Sequence, residues 1–163
     1  MLRSSLALMM LMATSPMALA DESDTPRFSR HVAGVFSKLG CNSGGCHGAV
    51  NGQNGFRLTL FAGDPTLDHQ RLLRDVGGRR LNFNDPERSL LLLKATGEIS
   101  HVGGKRMEVG SAEYEILRRW IAAGAKLDTV EKSRLKKLTI TPGEYNAKIG
   151  ASYLFKITSP DSA

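Results

Sequence analysis

Two cysteines separated by four residues, with a histidine directly after the second, constrain this chain more than any other feature: Cys41-Asn42-Ser43-Gly44-Gly45-Cys46-His47. A Cys-x-x-Cys-His segment attaches haem covalently: two thiols become thioethers and the adjacent imidazole binds iron. Here the spacing between the cysteines is widened, so the loop must fold back on itself to present both thiols together. Asn42, Ser43, Gly44 and Gly45 suit such a loop, and Gly44 or Gly45 is expected at positive φ. The same residues also read as a small disulfide loop with His47 beside it. On spacing alone both readings stand.

The first twenty residues read as a secretion signal. Arg3 supplies the positive start, Leu6 to Met12 the apolar core, and Ala18-Leu19-Ala20 the small-residue cleavage site. That core is too short to span a bilayer, and no later stretch approaches about eighteen apolar residues. The mature chain is therefore expected to begin near Asp21, periplasmic or secreted, with no membrane insertion after cleavage. Covalent haem and disulfides both belong to such compartments. About 140 residues remain, enough for one domain with a core and little more. The formal charge of +6 comes from dispersed Lys and Arg. Without a basic stripe, nucleic-acid binding is not expected. The dispersed cations read as a solvated surface, or as a basic rim that steers an acidic redox partner.

Helical signals dominate the middle of the chain. Thr25-Pro26 opens a first helix carrying Phe28, Val32, Val35, Phe36 and Leu39, and Gly40 stops it just before Cys41. Phe56, Leu58 and Leu60 alternate with polar residues as a short extended segment. Asp64-Pro65 and Asp85-Pro86 each start a helix, the second with the run Leu90 to Leu93 and a stop at Gly97. A glycine-bearing loop from Glu98 to Met107 follows. Ser111 caps a last helix with Tyr114, Leu117, Trp120 and Ile121 on one face, ended by Gly124. Glu131 to Lys137 reads as a charged linker. Leu138 to Pro142 and Tyr153 to Ile157 read as two strands.

The stretches GCNSGGCHGA, NGFRLTLF, the GRR before Leu81, PERSLLLLKATG, HVGGKRM and YEILRRWIAAGA, within residues 27–126, resemble the cytochrome-c-like domains of planctomycete exported proteins. The tail LKKLTITPGEYNAKIGASYLFKIT resembles the opening of a bacterial Ig-like domain. The resemblance implies a mainly α fold: a small cytochrome c-like helical domain (26–126) around one covalent haem c, a linker (127–135), and a short β segment (136–163) as an incomplete Ig-like module. It also implies that the widened cysteine spacing is compatible with haem. Cys41 and Cys46 would tether the haem, His47 would be the proximal iron ligand, and the function would be one-electron transfer with a redox partner protein.

Several residues are candidates for the other face of the iron. His31 reads as a surface or packing histidine, and His69, among Asp68, Gln70 and Arg71, as one on a solvated helix face. His101 lies in the glycine loop, where Gly103 and Gly104 allow close backbone approach. Met107, in the same loop, is either a thioether ligand or a core filler under Trp120. In the resembling family the histidine precedes the two glycines and the Met107 position varies, which favours His101. Arg79, Arg80, Lys105 and Arg106 are candidates to pair with haem propionates. Two other readings stay open: a cofactor-free structural or carbohydrate-associated module with a Cys41–Cys46 disulfide, and a haem enzyme with an open distal position.

Overall fold

The computed structural model describes residues 25–129, 131, 137–144 and 146–159. The expected secretion signal and part of the expected linker lie outside the described residues. What is described is mostly helical, with one short two-stranded antiparallel sheet. No helix among the described residues is long and apolar enough to cross a membrane.

One π-helical turn, Phe28–Val32, runs directly into α1, Ala33–Lys38. Phe28, Val32, Val35 and Phe36 face inward, while Gly34, Ser37 and Lys38 face solvent. Gly40, at φ +73°, ends the helix. Its N–H donates to Ser37 O (3.1 Å), and the Cys41 N–H reaches back to Phe36 O (2.8 Å). This paired closure is the Schellman arrangement that glycine permits. It fixes the direction in which the chain leaves α1, and so the position of Cys41.

Asp64 caps α2, Pro65–Arg74, by accepting the Leu67 N–H (2.9 Å), as the Asp-Pro pair anticipates. The second Asp-Pro pair behaves differently. Pro86–Arg88 makes only a 3₁₀ turn, and α3, Leu90–Thr96, begins after Ser89. Ser89 is extended and fully buried, and its hydroxyl accepts the Asn82 N–H, so the chain bends there. Ser111 caps α4, Ala112–Ala122, through the Tyr114 N–H, and Gly124 (φ +87°) closes it.

The core lies where α4 crosses the π-helical turn and α2. Phe28 sits 5.3 Å from Trp120 and 6.4 Å from Phe36, ring centre to ring centre, with Leu72, Leu92, Leu117 and Ile121 filled in around them. The segment before α2 departs from simple alternation. Leu58 is buried, but Leu60 is half exposed and enters a 3₁₀ turn, Leu60–Ala62. The buried Asp68 carboxylate takes both the N–H and the hydroxyl of Thr59, the latter at 2.7 Å, and so bolts α2 to this segment. Burial raises the Asp68 pKa against those hydrogen bonds. Beyond α4, Asp128 accepts the Ser29 N–H (2.8 Å) and hydroxyl, joining the two ends of the helical unit.

Two strands form, but the second is shifted from its expected place: Tyr153, Leu154 and Phe155 lie outside it and only Lys156 and Ile157 of the expected run are in it. β1, Thr139–Thr141, pairs with β2, Lys156–Thr158, with Ile140 opposite Ile157. Every residue of both strands is exposed.

Candidate functional site

The end of α1, the loop 41–56, α3 and the loop before α4 enclose a cavity of about 490 Å³, within the roughly 300–1,000 Å³ of small-molecule and cofactor sites. Phe36, Phe56, Leu58, Leu90, Leu91 and Ala95 line it with apolar surface. Cys41, Cys46, His47 and His101 all reach it, as do Arg79, Arg80, Lys94 and Arg106. No acidic side chain lines it. The cavity is therefore apolar in its walls and positive at its edges, a combination that fits a large apolar plate carrying carboxylates.

The widened loop closes through backbone hydrogen bonds. The His47 N–H donates to Cys41 O (2.9 Å), and the Cys46 and Gly48 N–H groups both donate to Ser43 O (3.0 Å). Asn42 is buried beneath it, its amide donating to Ser37 Oγ (2.9 Å). The expected use of Gly44 or Gly45 is not seen. Neither has positive φ, and a Cβ at Gly45 would meet no atom within 4 Å. The helix-like succession of turns removes the need for a left-handed residue inside the motif; that demand falls on Gly40 before it. A Gly45→Val protein is accordingly expected to fold with a melting temperature within ~4 °C of the parent, checked by circular dichroism. A larger drop would show that Gly45 is crowded after all.

Cys41 and Cys46 are free thiols, both partly buried. Burial pushes the Cys41 thiol up to about 11, so it is protonated at neutral pH and is a poor thiolate ligand. Arg106 lies beside the pair, its Nη2 3.9 Å from Cys46 Sγ. Among the described residues no group of three or more His, Cys, Asp and Glu is gathered as a metal cluster.

The two cavity histidines are oriented alike. His47 Nδ1 is 3.0 Å from Phe56 O, and His101 Nδ1 is 3.0 Å from Gly104 O. A carbonyl only accepts, so each Nδ1 carries the proton and each Nε2 keeps its lone pair. This is the way metal-binding imidazoles are usually held. Burial keeps the His47 pKa below the ordinary value, opposed by the bond to Phe56 O and assisted by His101 and Arg80, which favours the neutral ring. The rings are parallel within 7° and their centres lie 6.2 Å apart. The two imidazoles are thus stacked side by side on the cavity wall.

The other candidates are elsewhere. Met107 is buried in the core cluster and does not line the cavity, so the fold brings His101 and not Met107 to face His47. His31 accepts the Arg27 N–H on its Nδ1, away from the cavity. His69 is not on a solvated face: its ring packs edge-on to Phe28 (5.0 Å) and Trp120 (6.1 Å), and its Nε2 is 2.7 Å from Ala125 O. Of its polar neighbours in sequence, Gln70 is exposed, whereas Asp68 is itself buried against Thr59. Of the four cations expected near an anionic group, Lys105 lies outside the lining and pairs with Glu108. Arg80 lines the cavity but is buried and committed. It donates to Arg71 O (3.2 Å), Asp75 O (2.9 Å) and Gly55 O (2.9 Å), and lies 4.3 Å over the Phe56 ring.

Phe56 and Lys94 were not legible as site residues. The Phe56 ring is 4.6 Å from that of His47, which the alternation Phe56-x-Leu58 hints at only as an inward-facing side chain. Lys94 sits at the end of a leucine run, with no signal that its amine reaches the Ser100 carbonyl at the cavity edge. Compared with known proteins, the chain matches no family model, no curated protein and no solved structure.

Proposed function

We propose that this chain carries one covalently attached haem c and transfers single electrons as an exported c-type cytochrome. The observation that carries the reading is the parallel His47–His101 pair, 6.2 Å apart, in a cavity whose wall also presents Cys41 and Cys46. When bound, haem supplies an iron centre that takes up and returns one electron; ligand identity, burial and access are the protein's contribution. Cys41 and Cys46 would tether the group, and His47 and His101 would bind its iron. Phe36, Phe56, Leu58 and Leu91 exclude water from its faces, and Arg79, Lys94 and Arg106 offset the charge of its propionates. A redox partner protein is the expected source or acceptor of the electron. The β1–β2 pair is read as the opening of an Ig-like module, as the resemblance implies.

Purified protein tests this directly. After expression with a haem-attachment system, the haem is expected to stay with the polypeptide through acid–acetone extraction. In the Cys41→Ala/Cys46→Ala double variant it is expected to extract completely. A colourless parent lighter than the reduced chain by two hydrogens would instead establish a Cys41–Cys46 disulfide. Two imidazoles on the iron also imply that the ferric protein lacks the near-infrared band of a sulfur–iron bond, and that Met107→Leu, nearly volume-conserving, leaves the spectrum unchanged.

A further inference from the structure

The loop that presents His101 is closed on itself. The Gly104 N–H donates to His101 O (2.8 Å), and the His101 ring donates through Nδ1 to Gly104 O. Gly104 adopts φ +73°, which lets the chain turn tightly enough for both bonds. Gly103 does something else. Its φ is not in the left-handed region, so its backbone admits any L residue. A Cβ there would nevertheless lie 2.9 Å from His101 Cε1, 3.3 Å from Nε2 and 3.4 Å from Nδ1. The ring occupies the space that a side chain at 103 would need.

We propose that Gly103 is a positioning residue: its missing side chain seats the His101 imidazole parallel to His47, and thereby sets the site for electron transfer rather than for binding small neutral or anionic ligands such as carbon monoxide or cyanide. The proposal rests on the haem reading and on His101 as the second iron ligand. A methyl at 103 collides with the far end of a side chain that turns about two torsions, so relief comes from swinging the ring aside, not from unfolding the loop. Val102, at the loop tip, is fully exposed, so the loop faces open solvent on that side. Gly110 is the natural comparison. It also has positive φ (+78°), a Cβ there meets nothing within 4 Å, and it lies outside the hydrogen bonds that hold the ring.

The experiment compares parent, Gly103→Ala, Gly110→Ala and His101→Ala holoproteins by absorption spectrum and by carbon monoxide titration of the reduced forms. Converting an open form populated at about one per cent into the majority raises apparent affinity about 100-fold. Gly103→Ala is expected to show that gain and a loss of the six-coordinate spectrum, approaching His101→Ala, while Gly110→Ala stays near the parent. In haem-free protein, where no ligand chemistry intervenes, Gly103→Ala is expected to move the His101 ring proton resonances and leave the melting temperature within ~4 °C. Parent-like affinity and spectrum in Gly103→Ala overturn the proposal, as does an equal effect of Gly110→Ala. If His101→Ala leaves the spectrum unchanged, the second-ligand assignment fails and takes this proposal with it. If the parent retains no haem, the functional reading itself fails, a result distinct from both.

Discussion

Gly48→Ala is expected to abolish covalent haem retention and to destabilise the helical unit by about 3 kcal/mol or more. A Cβ at Gly48 would lie 2.1 Å from Asn42 O, 2.7 Å from Asn42 C and 2.8 Å from Ser43 O. These are backbone atoms, so no rotamer change relieves the collision. Nor are they free to retreat: Asn42 O also accepts the Phe61 N–H (3.2 Å), and the Asn42 side chain is buried on Ser37. The loop has to open between Asn42 and Gly48, and the segment that then moves holds Cys46 and His47. Haem per polypeptide after acid–acetone extraction reads the first effect and urea unfolding the second. A Gly48→Ala protein with full haem and parental stability would show that the turn is not crowded in this way.

Arg80→Met should cost about 3–5 kcal/mol, because truncation of a buried charged donor leaves its acceptors without partners. Two carbonyls at the C-terminal end of α2, Arg71 and Asp75, and one from the loop before Phe56, Gly55, converge on this one guanidinium. The Gly55 contact fixes the peptide that precedes Phe56. Phe56 in turn takes the His47 Nδ1 proton on its carbonyl and packs its ring against the same imidazole. Arg80 is therefore a brace for the orientation of His47. Against a total stability of about 5–15 kcal/mol the loss is large, and the melting temperature is expected to fall by more than ~10 °C. Arg80→Lys keeps the charge but replaces a rigid fork by a single point, and is expected to recover less than half of the loss. A melt of Arg80→Met within ~2 °C of the parent would remove this brace from the account.

The features legible in the sequence are those decided within a few residues. Asp64-Pro65 starts α2 and Ser111 caps α4, each through a side-chain oxygen and an N–H three residues on. Gly40, Gly97 and Gly124 end helices at positive φ, because the left-handed turn penalises every residue with a Cβ. The gathering of Cys41, Cys46 and His47 on one cavity wall is equally local. What escaped the sequence depends on distant partners. His69 is drawn inward by Ala125 O, 56 positions along, and Arg80 by Gly55 O, 25 positions back. Neither neighbourhood in sequence signals a buried contact. His101 and Met107 share one loop and one composition; which of them faces the cavity follows from how that loop lies on α3, where the N–H groups of Arg106 and Met107 both donate to Ala95 O (2.8 and 3.2 Å). The split of the second Asp-Pro helix at Ser89 has the same origin, since its hydroxyl serves Asn82 across the bend.

The Ser29–Asp128 contact ties positions 99 residues apart. Mechanically it makes the helical unit a loop with its two ends clasped. Tension applied to the chain on either side reaches these two hydrogen bonds before it reaches α1 or α4, and the cavity stays unloaded until they part. For the same reason the unit spans almost no distance between its ends, so it can be spliced into a surface turn of another protein without forcing that turn apart.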